Sequence, residues 1–461
     1  MIALLPAVYL AAMMALALAH RREAGASPAE FFLAGRRAGA ARVALSLLAT
    51  TLGAFGVMGV SGMATRMGLA AGWHLWGGAV VLAALALWGW GRLQAEGAYT
   101  LPELLGRAFG PGVRRVSAML IAMAWVSIVG AQMIAAGKIA VFLAGASGVA
   151  IPEGAAIAGV ALLFTLYTLL GGQHSVLRTD GLQAVVIIAG LVVLAATAWH
   201  AGLRPPPELM SLGGGETMPA GKLALVLLVF GAPYLVGPDM YSRLLSSQGT
   251  RAGRAALLGA AAGMAPAVLL VVWLGAVGAA VFPQGLARPE LVLLELAREL
   301  LHPALVGLMI AALLAAVMSS ADTCLLTVAT LSVRDVLGRS GEGTARDVLA
   351  GRAVIALTGT GALVLALLQR DIVDALWTAY KVYAPALLGP FVALLLRPGA
   401  RFPAWVGAGS MALGGGTALL AASMGLLGWG GEGWPSAGAL TVAAFALGAA
   451  PPAAWLAAGR R

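Results

Sequence analysis

The feature that most constrains this chain is a series of apolar runs, each long enough to cross a lipid bilayer. A spanning α-helix needs about 20 mostly apolar residues, and thirteen such runs follow one another along the 461 residues. Apolar residues make up 61% of the chain and charged residues 10%, whereas soluble domains carry about 25% charged residues. A transmembrane β-barrel would instead show alternating segments of about 10 residues. The sequence therefore predicts an all-α, polytopic membrane protein with about 13 transmembrane helices.

We number the predicted spans 0 to 12. They cover residues 2–19, 43–65, 73–91, 114–144, 154–171, 180–200, 223–245, 254–282, 303–333, 351–369, 372–396, 403–427 and 435–457. Of the 29 basic residues, 21 lie in one set of loops and ends and six in the other, while Lys138 and Lys381 fall within spans. Because basic loops stay in the cytoplasm, we expect a cytoplasmic C-terminus and an N-terminus outside. Many Arg, Ala and Gly residues favour a GC-rich bacterial genome, and hence a bacterial inner membrane.

Several classes of function lack their sequence signatures. The net charge of +10 follows from the loop asymmetry, so we expect no nucleic-acid partner. The chain has no phosphate-binding Gly loop and no nucleotide-binding Gly fingerprint, so we expect no nucleotide. Its single cysteine, Cys324, forms no intrachain disulfide, and its five histidines show no metal-ligand spacing. With no nucleophile–base pair within the membrane, we expect no enzyme.

Two spans contain residues that interrupt a regular helix. Span 1 reads SLLATTLGAFGVMGVSG and span 6 reads VFGAPYLVGPDMYSR. The interrupting residues are Thr50, Thr51, Gly53 and Gly56 in the first, and Gly231, Pro233, Gly237 and Pro238 in the second. Broken helices at corresponding positions of two halves are typical of inverted-repeat transporters, whose site lies at the bilayer midplane. The alternative is a pair of kinks with a purely structural purpose.

Span 8 carries a cluster of oxygen-bearing side chains in its apolar sequence AAVMSSADTCLLTVATLSVRD. Ser319, Asp322 and Thr323 share one helical face, and Ser320 lies on its flank. A carboxylate at this depth costs roughly 2.5–3.5 kcal/mol on insertion scales, so we expect the cluster to bind a cation. Serines alone would more often bond a carbonyl one turn earlier. Asp180, at the predicted start of span 5, either caps that helix or takes part in cation binding.

Five blocks of this sequence resemble the sodium:solute symporter family, which includes sodium-coupled glucose, proline, pantothenate and sialic-acid transporters. They run in family order from residue 31 to residue 335. The blocks are FFLAGRRAGAARVALSLLATTLGAFGVMGVSG, YTLPELLGRAFG, LYTLLGGQHSVLRTDGLQAVV, GPDMYSRLLSS and AAVMSSADTCLLTVATLSVRD.

The resemblance implies one transporter domain over residues 1–461 with a LeuT-type core and broken helices 1 and 6. The first five-helix repeat would cover 42–200 and the inverted second repeat 222–397. An extra helix at 1–20 precedes them, and two C-terminal helices at 402–461 follow.

The resemblance also implies ligands for one or two sodium ions as coupling ions. The first sodium would lie between spans 1 and 8, bound by the carbonyls of Ala49, Leu52 and Ala316 and the hydroxyls of Ser319 and Ser320. A second would lie between spans 5 and 8, at Asp180, Ser319, Asp322 and Thr323. Asp322 departs from members with a hydroxyl at this position, so it would strengthen a second cation site or carry a proton.

The substrate side matches the sugar-binding members less well, because few polar side chains follow the span 1 break. Candidate wall residues are Thr51, Gly53, Phe55, Gln132 and Tyr234. They favour a small solute with a carboxylate, such as an amino-acid-like solute, caught by exposed amides of the break. The sequence thus predicts a sodium-coupled symporter that imports a small organic solute by alternating access. The alternatives are a proton-coupled transporter that uses Asp322 and a non-transporting membrane sensor of solute.

Overall fold

The structure, a computed structural model, describes residues 1–24, 37–213, 218–339, 344–369, 372–423 and 434–458. Within these ranges the regular structure is helical, apart from isolated bridge residues: Ala38 and Ser247, which pair with each other, and Met218. The prediction of an all-α protein is therefore confirmed.

The helices follow the predicted spans in order. Span 0 is Leu4–Ala24, span 1 is Ala40–Thr51, Phe55–Gly59 and Val60–Met67, and span 2 is Trp73–Ala84, Leu85–Gly89 and Trp90–Ala95. Span 3 is Pro111–Ala146, spans 4 and 5 share Glu153–His200, span 6 is Ala220–Val236 and Pro238–Leu245, and span 7 is Gly249–Val281. Span 8 is Pro303–Leu331 and Ser332–Val336, span 9 is Ala345–Leu368, and span 10 is Ile372–Leu396. Span 11 is Ala404–Ser410, Met411–Gly415 and Gly416–Ser423, and span 12 is Trp434–Ala457. The connections contain the short helices Gly68–Gly72, Leu101–Phe109, Pro207–Met210, Pro289–Leu291 and Val292–Leu300.

Among the described residues, 11 helical stretches are long and apolar enough to cross a membrane. The number is below 13 for two reasons. The apolar part of span 0, Leu4–Ala19, is short, and so is Ala40–Thr51 in span 1. The rest of span 1 continues through a 3₁₀ turn into span 2, so that Phe55–Ala95 forms one helical stretch.

Spans 4 and 5 are separated by Gly172, which has φ of 60° and ψ of −177°. This backbone conformation is essentially restricted to glycine, so Gly172 ends one helix and begins the next. Asp180 therefore lies two turns inside span 5 rather than at its first residue, and its side chain is fully buried. The prediction that Asp180 caps span 5 is wrong.

Spans 1 and 6 are both broken, as the sequence predicts. The first helix of span 1, which we call span 1a, ends at Thr51, and the helical path resumes at Phe55. Span 6 breaks at Gly237, whose extended backbone (φ −76°, ψ 116°) separates span 6a, ending at Val236, from span 6b, beginning at Pro238. Pro233 lies within the helix of span 6a, so it does not mark the break.

Span 8 forms the centre of the bundle. Every residue from Met309 to Leu331 is buried, and the helix packs against spans 0, 1, 3 and 5. A helix that is enclosed on all sides is apolar all round except where polar groups find partners. The oxygen cluster at residues 319–323 therefore faces other spans rather than lipid.

Candidate functional site

The predicted first sodium site joins span 8 to the broken end of span 1a. The Ser319 hydroxyl lies 3.0 Å from the carbonyl oxygen of Ala49 and 2.9 Å from that of Ala316. The Ser320 hydroxyl lies 3.0 Å from the carbonyl oxygen of Thr50 and 3.5 Å from that of Ala316. The structure thus brings together four of the five predicted positions. Leu52, the fifth, is buried just after span 1a, but the serine hydroxyls bond to Ala49 and Thr50 instead.

The break in span 1 explains why its carbonyls are available to span 8. In a continuous α-helix the amide of Gly53 would donate to the carbonyl of Ala49, but here it donates to Thr50 at 3.2 Å. The Ala49 oxygen is therefore left to Ser319. Gly53 also permits the close approach of the two helices, because a Cβ atom there would lie 2.2 Å from the Ser320 hydroxyl oxygen.

The predicted second cation position contains the side chain of Arg243, which the sequence counts among the basic residues at the cytoplasmic ends of the spans. The guanidinium of Arg243, from span 6b, is fully buried and pairs with Asp180 at 2.9 Å. It also donates to the Thr323 hydroxyl and, at 3.5 Å, to the Ser319 carbonyl. Three of the four predicted ligands thus surround one arginine nitrogen. The spacing of Arg243 after the GPD of span 6b is the signal that could have placed it in the bundle.

Asp322 is the predicted ligand that does not join this group. One of its carboxylate oxygens accepts the amide hydrogen of Thr323 at 2.7 Å. The other is buried and has no hydrogen-bond partner within the part of the chain that the structure describes.

A cavity of about 70 Å³ opens next to the serines of span 8. It is lined by all five predicted wall residues, Thr51, Gly53, Phe55, Gln132 and Tyr234. The other lining residues are Thr50, Gly56, His74, Leu75, Trp125, Ile128, Phe230, Pro233, Asp239, Met240, Ser320, Cys324, Tyr380 and Tyr383. Ser320 belongs to the candidate sodium site and lines the cavity, as does its hydrogen-bond partner Thr50, so the two places share a wall.

Two of the predicted wall residues already have hydrogen-bond partners in the protein. The Thr51 hydroxyl donates to the Leu48 carbonyl at 2.8 Å. The side-chain oxygen of Gln132 accepts the amide hydrogen of Ala54 at 3.0 Å. A side chain of span 3 thus already accepts the amide hydrogen of Ala54, which is one of the amides at the span 1 break.

Aromatic side chains form much of the cavity wall, and apart from Phe55 and Tyr234 the sequence did not predict them. Phe55 stacks on Phe230 with ring centroids 5.1 Å apart and planes 6° apart. The His74 ring meets the Phe230 ring edge-on at 4.8 Å, and the Tyr380 ring lies 6.5 Å from Phe230. Further along, Trp125 packs edge-on against Tyr383 at 5.0 Å. In an apolar sequence these aromatic residues resemble ordinary packing residues, and only the fold gathers them.

Four polar groups give this cavity its chemistry. Among the described residues, the Thr50 and Tyr383 hydroxyls and the Trp125 indole nitrogen are buried without a hydrogen-bond partner. Asp239 also lines the cavity, at the beginning of span 6b, where its carboxylate accepts the backbone N–H groups of Asp239 and Met240. Arg243 bonds to the main-chain oxygen of Asp239 at 3.2 Å, while its salt bridge goes to Asp180. An aromatic cavity with one carboxylate and a few free donors suits a small solute that carries a cationic nitrogen.

Comparisons with known proteins agree on family and fold. The model of the sodium:solute symporter family matches residues 31–202 and 215–396. The high-affinity proline transporter PutP of Bacillus subtilis (strain 168) is 26% identical over 427 residues, which cover 86% of this chain and 87% of PutP. The high affinity choline transporter 1 of Homo sapiens is 29% identical over 259 residues, 50% of this chain and 44% of that protein.

Among solved structures, a Na⁺-coupled sialic acid symporter in a substrate-bound outward-open state has a TM-score of 0.76 at 16% identity. The alignment covers 98% of both chains. A closed form of Mhp1, a nucleobase-cation-symport-1 family transporter, has a TM-score of 0.65 at 15% identity and covers 94% of this chain and 95% of that one. The predicted LeuT-type fold is confirmed by these likenesses.

Proposed function

Because this chain belongs to the sodium:solute symporter family, we propose that it uses one sodium site to drive import of a small amino-acid-like solute. The solute carries a cationic nitrogen and crosses the membrane by alternating access. The protein lies in a bacterial inner membrane with its N-terminus outside and its C-terminus in the cytoplasm. The observation that carries the proposal is the pair of serine hydroxyls that join span 8 to the broken end of span 1a beside the cavity.

The sodium site consists of oxygen atoms, which are the ligands that a hard alkali cation prefers. The Ser319 oxygen lies within 3.0 Å of the carbonyl oxygens of Ala49 and Ala316. When sodium binds, the hydroxyls of Ser319 and Ser320 rotate their hydrogens away and direct lone pairs to the ion. Rotation of a hydroxyl requires no movement of the helix. The Leu52 carbonyl completes the set.

The solute site combines an aromatic wall with one carboxylate. A cationic nitrogen is attracted to the faces of aromatic rings such as those of Phe55, Phe230 and Tyr380, and to the carboxylate of Asp239. The donors of Thr50, Tyr383 and Trp125 then remain for a solute carboxylate. Proline and choline, the solutes in the names of two relatives, both carry a positively charged nitrogen, which supports this assignment.

Coupling follows from the shared wall. Sodium and solute both favour the same arrangement of the span 1 break, so each stabilises the state that binds the other. One charge that moves through 100 mV of membrane potential is worth about 2.3 kcal/mol, which corresponds to roughly 50-fold accumulation of a neutral solute.

A proton-coupled transporter is the second candidate, and the buried Asp322 favours it. One oxygen of this carboxylate lacks a hydrogen-bond partner in the described part of the chain, so it could hold a proton. This alternative predicts uptake that persists without sodium and is lost in Asp322→Asn.

The test is a thermal-shift screen of purified protein against small amines, amino acids and carboxylic acids in NaCl and in KCl. We expect zwitterionic amines to raise the unfolding temperature more in NaCl than in KCl. If no solute does so, sodium symport is refuted.

Variants then separate the two sites. Asp239→Asn should lose stabilisation by the solute but keep stabilisation by sodium alone, whereas Ser319→Ala with Ser320→Ala should lose both. Glu208→Gln serves as the control, because Glu208 is an exposed carboxylate in the connection between spans 5 and 6. Equal solute stabilisation in Asp239→Asn and Glu208→Gln would contradict the role of Asp239.

A further inference from the structure

Thr50 lies between the candidate sodium site and the solute cavity. Its main-chain carbonyl accepts the Ser320 hydroxyl, and the residue also lines the cavity. We infer that the Thr50 hydroxyl binds the carboxylate of the solute, so that this acidic end, rather than the cationic nitrogen, is the end coupled to sodium. The inference rests on the proposed sodium symport of an amino-acid-like solute and identifies the contact that couples the two.

The carbonyl oxygen of Thr50 is held by two donors. It accepts the Ser320 hydroxyl at 3.0 Å and the amide hydrogen of Gly53 at 3.2 Å. The second contact exists because the helix of span 1a ends at Thr51 and the Gly53 amide turns back to Thr50. The orientation of the Thr50 backbone is therefore set at the point where Ser320 offers its hydroxyl to sodium.

The hydroxyl of Thr50 departs from the usual behaviour of threonine in a membrane helix. Such hydroxyls commonly bond to a carbonyl about one turn earlier, as Thr51 does when it donates to Leu48 at 2.8 Å. The Thr50 hydroxyl is instead buried without a hydrogen-bond partner among the described residues. A buried hydroxyl that makes no hydrogen bond is costly. Because Thr50 lines the cavity, a bound solute is the partner that can satisfy it.

Two further donors of the cavity indicate which end of the solute Thr50 contacts. The indole nitrogen of Trp125 can only donate, and it is buried without a partner in the described part of the chain, as is the Tyr383 hydroxyl. The two rings pack edge-on with centroids 5.0 Å apart. Donors from spans 1, 3 and 10 thus line one cavity. They suit a carboxylate, whose two oxygens together accept several hydrogen bonds.

Sodium and solute act on the Thr50 backbone from opposite sides. The carbonyl and the hydroxyl of a threonine are separated by only a few covalent bonds, and its β-branched side chain has few χ1 rotamers. The direction of the hydroxyl therefore follows the orientation of the carbonyl. Sodium bound by Ser319 and Ser320 fixes the end of span 1a, and with it this donor. By linkage, a solute that binds the donor raises the affinity for sodium by the same factor.

A competing path would run through the cationic end of the solute. Phe55 also follows the span 1 break, and it stacks on Phe230 with ring centroids 5.1 Å apart. If sodium acted by ordering this aromatic wall, a solute with only a cationic nitrogen would gain as much affinity from sodium as an amino acid. The two paths therefore differ in which part of the solute responds to sodium.

The experiment compares matched solutes that differ in the carboxylate group alone. The pairs of zwitterion and simple cation are L-proline with pyrrolidine, L-alanine with ethylamine, and glycine betaine with tetramethylammonium. The dissociation constant of each is measured on purified protein in NaCl and in KCl at constant ionic strength. We expect sodium to raise the affinity for zwitterions about 5- to 150-fold, the usual range for coupled sites, and that for simple cations less than about twofold.

Variants of Thr50 assign the effect to its hydroxyl. Thr50→Val keeps the shape of the side chain and the main-chain carbonyl, but the gain of the zwitterions from sodium should fall to less than about twofold. Thr50→Ser keeps a hydroxyl and should retain the gain. Sodium binding without solute should persist in both variants. Thr360→Val is the control, because the exposed Thr360 hydroxyl donates to the Ala356 carbonyl in span 9.

Each outcome supports or overturns the inference. An equal gain for zwitterions and simple cations overturns it and leaves sodium symport intact, and so does a full gain in Thr50→Val. Loss of sodium binding without solute in Thr50→Val would assign the hydroxyl to the sodium site and also overturn it. If no zwitterion gains affinity from sodium, the proposed symport fails, and the inference fails with it. If Thr50→Val does not fold, the matched solutes on the native protein still decide, since they require no variant.

Discussion

Gly53 is the position where a single added methyl group tests the candidate sodium site most directly. An ideal Cβ atom at Gly53 would lie 2.2 Å from the Ser320 hydroxyl oxygen and 3.1 Å from its Cβ atom. The first distance is far below van der Waals contact, so Gly53→Ala must displace the hydroxyl or push span 8 away from span 1a. Either movement removes a proposed sodium ligand.

The size of the effect follows from the ligand that is lost. Hydrogen bonds to charged groups contribute about 1.5–3 kcal/mol, and a hydroxyl–sodium contact should be comparable. Sodium affinity should therefore fall roughly 10- to 150-fold, since every 1.4 kcal/mol is about tenfold. The assay measures how far the unfolding temperature rises with NaCl at constant ionic strength. It reports the change in sodium affinity directly, so the solute need not be known.

A double-mutant cycle shows whether the loss passes through Ser320. In the Ser320→Ala background the hydroxyl is already gone, so Gly53→Ala should weaken sodium binding little further and the two effects should not add. Gly181→Ala is the matched control, because nothing lies within 4 Å of a Cβ atom at that helical glycine. Additive losses from Gly53→Ala and Ser320→Ala, or an equal loss from Gly181→Ala, would refute the proposed contact.

Two further predictions concern buried charges. Asp322→Asn should retain sodium-driven uptake in proteoliposomes; uptake that is driven by a pH gradient in the native protein and abolished in the variant would instead support proton coupling. Lys138→Met should lower the free energy of unfolding by about 3–5 kcal/mol, because it leaves the carboxylate of Glu290 without its partner in a largely buried ion pair. Arg288→Gln breaks a more exposed pair and should change stability by less than about 1 kcal/mol in the same denaturant titration; equal losses from these two variants would contradict the reasoning.

The sequence predicts the spans and the two breaks because both depend on local properties. The length of an apolar run indicates a helix that crosses the membrane, and a Gly or Pro residue indicates where that helix can end. Ser319 and Ser320 could also be identified, because polar side chains within an enclosed apolar helix require partners. The partners of these two hydroxyls are the Ala49 and Thr50 carbonyls. The Ala49 carbonyl is available because the Gly53 amide donates to Thr50 instead, and a change of one hydrogen bond is not visible in the sequence.

The parts of the site that escaped prediction depend on contacts between distant spans. Arg243 counts as a cytoplasmic basic residue by position, and only its spacing after the GPD of span 6b indicates that it turns into the bundle. Lys138 could be expected to reach the membrane surface, as lysines often do, but it is buried against Glu290 from the connection between spans 7 and 8. Asp180 resembles a helix cap until Gly172 is known to end span 4 two turns earlier.

Ser319 joins the candidate sodium site to the buried ion pair of Arg243 and Asp180. Its hydroxyl faces Ala49 and the candidate sodium site, while its carbonyl accepts from Arg243. A permanent positive charge on one side of this residue lowers the affinity for sodium on the other side by Coulomb repulsion, although Asp180 compensates most of that charge. Such an arrangement suits release into the cytoplasm, since a sodium ion that is bound too tightly would stall the return of the empty carrier.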